Sequence, residues 1–345
     1  MKTINTQNTK LLSLLMAVLM PVTLLTGCGK NNADLPTSKS GFYLDTYITI
    51  TLYEDKEHSE GIIDDCFNEV SHYEKLFSNT IEGSDIWNIN HSPHEYVTVD
   101  DATAELINIG LEYSKATDGA FDITVGSLSA LWDFKNNTGK IPNKEKIKEA
   151  LASVSYENIK IDGNNVMLDS DSASIDLGGI AKGYIADRLK EYLINKGITS
   201  GLINLGGNVL SVGPRADGKS PYTIGLQKPF ADDGKAIGSL AITDESVVTS
   251  GTYQRYFEKD DKIYHHILDL NTGYPADNDL TSVTIISKKS VDGDALSTTV
   301  FLMGQKKGLS FVENIPDTEA IFVDTDGKIT FTSGVTTKYP FKELK

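Results

Sequence analysis

Gly201-Leu-Ile-Asn-Leu-Gly-Gly-Asn-Val-Leu-Ser-Val-Gly213 reads as two short apolar strands, 201–205 and 208–213, folded about a Gly-Gly bend. Just before it, Ile180 to Asn195 repeats apolar residues at helical spacing, with Gly197 placed to end the helix. After it, short strand-like runs dominate: 222–227, 237–242, 246–249, 253–257, 263–268 and Leu280 to Ser287. A helix from about Asp292 to Met303 and a hairpin around Asp326-Gly327 complete this half. Many strands joined by tight turns, without regular βαβ alternation, predict an α+β fold. Its sheets should be mixed and largely antiparallel, with helices packed on them, rather than a doubly wound parallel sheet.

The first half carries more helix. Phe42 to Tyr53 alternates, with Ile48, Ile50 and Leu52 on one face, and predicts a half-buried strand. Ile62, Ile63, Cys66, Phe67, Val70, Tyr73, Leu76 and Phe77 recur at helical spacing, giving an amphipathic helix over 60–77. Asp100 is placed to cap a second helix that runs through Lys115 and stops near Asp118-Gly119. A third helix is expected from Lys144 to Ala152, and Asp162-Gly163-Asn164 between β-prone runs suggests a hairpin.

The N-terminus reads as targeting sequence. Lys2 and Lys10 precede an apolar run, Leu11 to Leu25, that is too short to cross a bilayer as a helix. It ends in Leu25-Thr26-Gly27-Cys28, similar to a bacterial lipobox, in which Cys28 is lipidated and becomes the first mature residue. The expected organisation is a leader over 1–27, a small, polar tether over 28–40 and one folded domain over 41–345. The chain would then be anchored by lipid to the extracytoplasmic face of the cell membrane. Losing the leader takes the net charge from -16 to -18, because it carries two lysines and no acid. So acidic a protein repels nucleic acid, and an anionic substrate would need local neutralisation by a metal ion or a few lysines. Cys66, then the one remaining cysteine, has no intrachain disulfide partner and sits on the apolar face of its helix.

Four stretches have residues suited to chemistry. In Asp176-Leu-Gly-Gly-Ile-Ala-Lys-Gly183 a strand enters a Gly-Gly turn and then a helix. Such a helix start suits phosphate, and Lys182 adds charge, although glycines that serve only packing would look the same. In Asp294-Ala-Leu-Ser-Thr-Thr299, Asp294, Ser297 and Thr298 share one helical face, an oxygen set suited to Mg²⁺. On spacing alone, an acidic residue stabilised at a helix start is the stronger reading. In Ser250-Gly-Thr-Tyr-Gln-Arg255 and Tyr264-His-His-Ile-Leu-Asp269, adjacent strand histidines point to opposite faces, so at most one faces a site. In Thr117-Asp-Gly-Ala-Phe-Asp-Ile123, Phe121 suits stacking on a planar ring and Asp122 accepting hydrogen bonds, or both belong to a helix stop and core. No CxxC pair or HExxH motif is present.

Taken in order, these blocks, with Phe77-Ser78 to Asn90, Asn204 to Asn208 and Asn271-Thr-Gly273, resemble the ApbE family of FAD:protein FMN transferases. The resemblance spans nearly all of the mature chain and implies an ApbE-like, T-fold-like architecture. It implies that FAD is split at its pyrophosphate. FMN would pass to a Thr or Ser hydroxyl of an acceptor protein bearing a D-G-x-[ST]-[GA]-[AS]-T-like motif, with release of AMP. It implies Mg²⁺ held by Asp294, Ser297, Thr298 and a backbone oxygen of Gly179. Flavin and nucleotide contacts map to Leu44, Thr80, Ala120, Phe121, Asp122, Asp176, Lys182 and Ile267. Leu44-Asp45-Thr46 replaces the family's usual Met-Gly-Thr, and Thr80 replaces a common aromatic. His266, which titrates near neutrality in water and precedes Ile267, is the candidate general base. The same residues would also serve a Mg²⁺-dependent FAD pyrophosphatase, or a lipoprotein that binds flavin without turning it over.

Overall fold

The computed structural model describes residues 36–231 and 234–344. The leader, Cys28 and the tether as far as residue 35 lie outside the described residues. Eight strands form one antiparallel sheet in which spatial order follows chain order: β1 (Thr37–Tyr43), β2 (Thr46–Leu52), β3 (Gly201–Leu205), β4 (Asn208–Val212), β5 (Ser246–Gly251), β6 (Leu280–Ser287), β7 (Glu319–Asp324) and β8 (Ile329–Phe331). The α+β expectation holds, and the opening bend is the β3–β4 turn, with Gly206 and Gly207 both at positive φ.

Strand alternation gives the sheet two buried faces. Ile48, Ile50, Leu52, Ile203, Leu205 and Leu210 point towards helices α1 (Lys56–Phe77), α2 (Asp101–Ala116) and α3 (Ala181–Asn195). Val283, Ile285 and Phe322 continue that layer under α4 (Ser290–Val312), meeting Leu296, Val300 and Phe301. On the reverse face Val247, Ile286 and Ile321 meet a three-stranded sheet of Tyr222–Gln227, Ala236–Ile242 and Lys342–Glu343. Each fully buried Val, Ile, Leu or Phe contributes about 1.5–3 kcal/mol to this packing. A separate aromatic cluster joins the segment around Gly126–Trp132 and Lys144–Ser153 to the 256–275 region, where Trp132 stacks on Phe134 and Tyr264.

The structure corrects several boundaries: the strand expected over 253–257 begins only at Tyr256, and the one expected over 263–268 is two, Lys262–His265 and Leu268–Asp269. Phe42 to Tyr53 is two strands, because Leu44 and Asp45 take left-handed φ values of 53° and 56° and reverse the chain. β1 begins at Thr37, so Thr37 to Ser40 of the expected tether are strand, paired with Ile50 to Leu52 and Thr49. α1 starts at Lys56 rather than 60, because Asp55 accepts the His58 amide as its cap. α4 runs past Met303 to Val312, broken by Gly304 at φ 73° and ψ 167°. Asp100 caps α2 through the Ala102 amide as expected, and Cys66 is fully buried, its thiol pushed up to about 12 by that burial.

Candidate active site

Two helix starts meet, and each is capped by the other. Neither the residue before α3 nor the residue before α4 offers a side-chain cap. First-turn amides without partners are costly when buried, so carboxylates reach across instead. Asp187 of α3 accepts the amides of Ser290 and Val291 at 2.8 and 2.9 Å. Asp294 of α4 returns the contact, its Oδ2 accepting the Gly183 amide at 2.8 Å. Gly183 allows the approach, since a Cβ there would lie 2.4 Å from the Ser290 carbonyl oxygen. Burial raises the Asp187 carboxyl to about 6, against the pull of the two amides.

The Gly178-Gly179 turn forms the other wall. Asp176 Oδ1 accepts the Gly178 amide at 2.8 Å, and Asn90 holds the segment before the turn through both backbone groups of Ile175; the strand expected there is only an isolated bridge between Ser174 and Val125. Lys182 Nζ donates to the Gly178 carbonyl at 3.4 Å and stands 3.9 Å from Asp294 Oδ1. Gly179 faces the edge of the Phe121 ring, where a Cβ would press to 3.1 Å. On α4, Ser297 Oγ donates to the Asp294 carbonyl at 3.0 Å, and Ser250 Oγ lies 2.8 Å from Ser297 Oγ and 3.1 Å from Thr298 Oγ1. Asp176, Gly179, Lys182, Asp294, Ser297 and Thr298 are therefore drawn to one place.

The donor set fits Mg²⁺. No group of three or more His, Cys, Asp or Glu able to hold a metal occurs among the described residues. One buried carboxylate, a threonine hydroxyl and a glycine carbonyl are oxygen donors that leave positions for phosphate and water, as Mg²⁺ prefers.

The other sequence candidates divide. The expectation that His266 titrates near neutrality is corrected: half-buried, with its Nδ1 enclosed without a hydrogen-bond partner, it is pushed down to about 3 by burial first, then by Arg255, His265 and Lys182. His265 faces the other way, into the core against Phe301, its Nε2 paired with the Ala276 carbonyl and its pKa lowered to about 4 by burial. Ile267 is buried among Val283, Ile285 and Phe301. Asp122 is occupied by its own loop, accepting from Thr124 twice and from the Tyr156 amide; burial still raises its pKa. Ala120 is half-buried beside Phe121. Leu44, in the β1–β2 turn, gives its amide to Glu74, and Thr80 is exposed in the loop after α1, its amide on Ser78. Ser250, Asp187 and Asn208, which accepts the Ser290 hydroxyl at 2.6 Å, belong to the site although sequence reasoning gave them no role. Their partners lie tens to a hundred residues away, and the one available signal was the polar character of Ser250 and Asn208 inside quoted motifs.

The architecture is thus a meander sheet roofed by two mutually capped helices, with a Gly-Gly turn set against the buried Asp294. A family model described as the ApbE family matches residues 44–322, and the chain belongs to that family. Among its relatives, the FAD:protein FMN transferase of Klebsiella pneumoniae (strain 342) is 40% identical over 299 residues, covering 86% of this chain and 92% of its own length. The ApbE protein of Thermotoga maritima superposes with a TM-score of 0.82 at 35% identity, over 90% of this chain and 100% of that one. The flavinyl transferase ApbE of Pseudomonas stutzeri gives 0.78 at 27% identity, over 89% and 98%.

Proposed function

We propose that this protein is an FAD:protein FMN transferase that moves FMN from FAD to a Thr or Ser hydroxyl of an acceptor flavoprotein with a D-G-x-[ST]-[GA]-[AS]-T-like motif. The observation that carries the reading is the junction of Gly183 and Asp294, which sets a carboxylate beside a Gly-Gly turn and a lysine. In the reaction the acceptor oxygen forms a bond to the FMN phosphorus. The bridging P–O bond breaks, AMP leaves with the electron pair, and the hydroxyl proton goes to a base. Asp294, Thr298 and the Gly179 carbonyl would hold Mg²⁺, which neutralises pyrophosphate charge when bound. Lys182 adds a second positive charge at the same turn. His266 is neutral at physiological pH and stands as the candidate base, although its burial makes it a weak one.

Cys28, by its lipobox-like context, would anchor the chain by lipid on the extracytoplasmic face of the membrane. The central test incubates FAD and Mg²⁺ with an acceptor peptide and reads the peptide's mass. Wild type should add one FMN, and Asp294→Ala should lose at least about a hundredfold in rate. Full activity in that variant would sink the metal assignment. FAD cleavage without a labelled peptide would replace transfer by hydrolysis.

A further inference from the structure

The three hydroxyls at the site have only one consistent hydrogen-bond direction. Each hydroxyl has one hydrogen and two lone pairs, and a carbonyl can only accept. Ser297 Oγ lies 3.0 Å from the Asp294 carbonyl oxygen, so its single hydrogen is committed there. At 2.8 Å from Ser297, Ser250 must then donate. At 3.1 Å from Ser250, whose hydrogen is now spent, Thr298 must donate in turn. The relay runs from Thr298 to Ser250 to Ser297 to the Asp294 carbonyl. It begins and ends on the two α4 residues that offer a cation their side-chain oxygens.

We propose that Ser250 is a positioning residue for the cation site, one that takes the Thr298 hydroxyl hydrogen and leaves both lone pairs of that oxygen for the ion. This rests on the Asp294-centred metal reading above. Ser250 suits the task because its backbone is fixed in the β5–β6 ladder opposite Val283, so the acceptor does not wander. Ser297 takes a different role from the one its spacing suggested. Its side chain is fully buried and one of its lone pairs accepts from Ser250, which makes it a link in the relay rather than a ligand. Partners behind a metal ligand orient it and tune its donor strength.

The test is calorimetric titration of the purified protein with MgCl₂, with and without AMP, and needs no turnover. Ser250→Ala should weaken Mg²⁺ binding about tenfold. In a Thr298→Val background, Ser250→Ala should weaken it no further, because Ser250 acts through the Thr298 oxygen. Wild-type affinity in Ser250→Ala, or an equal loss in both backgrounds, overturns the proposal. If Ser250→Ala does not fold, Ser297→Ala interrupts the relay one hydroxyl later and should also weaken binding only while Thr298 is present; unchanged binding there overturns the relay. A wild-type protein that takes up no Mg²⁺ in either titration, or Asp294→Asn binding as tightly as wild type, overturns the metal reading itself.

Discussion

Gly183→Ala tests whether the mutual capping of α3 and α4 builds the site. In an open helix interior this change stabilises by about 1 kcal/mol, through propensity alone. Here the new Cβ would lie 2.4 Å from the Ser290 carbonyl oxygen and 2.6 Å from Val291 Cα, where ordinary contact begins at 3.4 Å. Both are backbone atoms, so no side chain can turn aside, and the helix starts must part by about 1 Å, the gap between those distances. They cannot part freely, because Asp187 on the same helix grips the Ser290 and Val291 amides. Overpacking of this kind costs about 1–3 kcal/mol, which outweighs the propensity gain or at least cancels it. The Gly183–Asp294 hydrogen bond stretches as the gap opens, and a 1 Å displacement of a positioned group costs roughly a hundredfold in rate. Urea unfolding and the acceptor-peptide assay read the two effects separately. A variant more stable than wild type, with an undiminished transfer rate, would refute the close-packing argument.

Asp187→Asn should cost about 1–2 kcal/mol in urea unfolding, since it exchanges a charged acceptor at a helix N-terminus for an amide whose NH₂ must face a backbone N–H; no change in midpoint would show that the α4 start needs no cap from α3. Stability should fall as pH drops from about 6.5 towards 4. His265 and His266 have folded pKa values of about 4 and about 3, below the ordinary 6.5, so in that window the unfolded chain takes up protons that the folded chain refuses. Asp187, raised from 3.8 to about 6, holds a proton in the fold that the unfolded chain releases, and so cancels part of the slope. His265→Gln should flatten the fall, and an unfolding midpoint that rises on acidification would contradict the assignment of both rings to the neutral state. Cys28→Ser should move the protein from the detergent phase to the aqueous phase in a detergent partition; partition identical to wild type would exclude the lipid anchor.

What could be read from sequence was whatever announces itself locally. The β3–β4 bend, the Asp162-Gly163 hairpin and the Asp100 cap carry glycines or capping acids at fixed offsets, and each is found where expected. The β1–β2 reversal was hidden because apolar alternation runs straight through it, and Leu44-Asp45 enters the left-handed region without glycine or asparagine to mark it. The start of α1 was missed because apolar spacing begins only at Ile62, about two turns after the Asp55 cap. At the site, the residues that carry charge, Asp176, Lys182 and Asp294, stood out by chemistry. Those that hold them, Asp187, Asn208 and Ser250, did not, since each meets its partner across the fold and looks in sequence like any polar residue.

That division follows from how the site is built. Asp294 has one oxygen committed to the Gly183 amide and the other facing Lys182, so a single carboxylate both joins two helices and faces the Gly-Gly turn's lysine. A cation arriving there would therefore meet an acceptor already oriented by the protein fold. Its affinity should depend on residues that never touch it: Asp187 through the position of α4, Gly183 through the distance between helices, and Ser250 through the direction of one hydroxyl hydrogen. Changes at these three should weaken Mg²⁺ binding by separate routes, with those of Gly183 and Asp187 also lowering stability and that of Ser250 acting only while Thr298 keeps its oxygen.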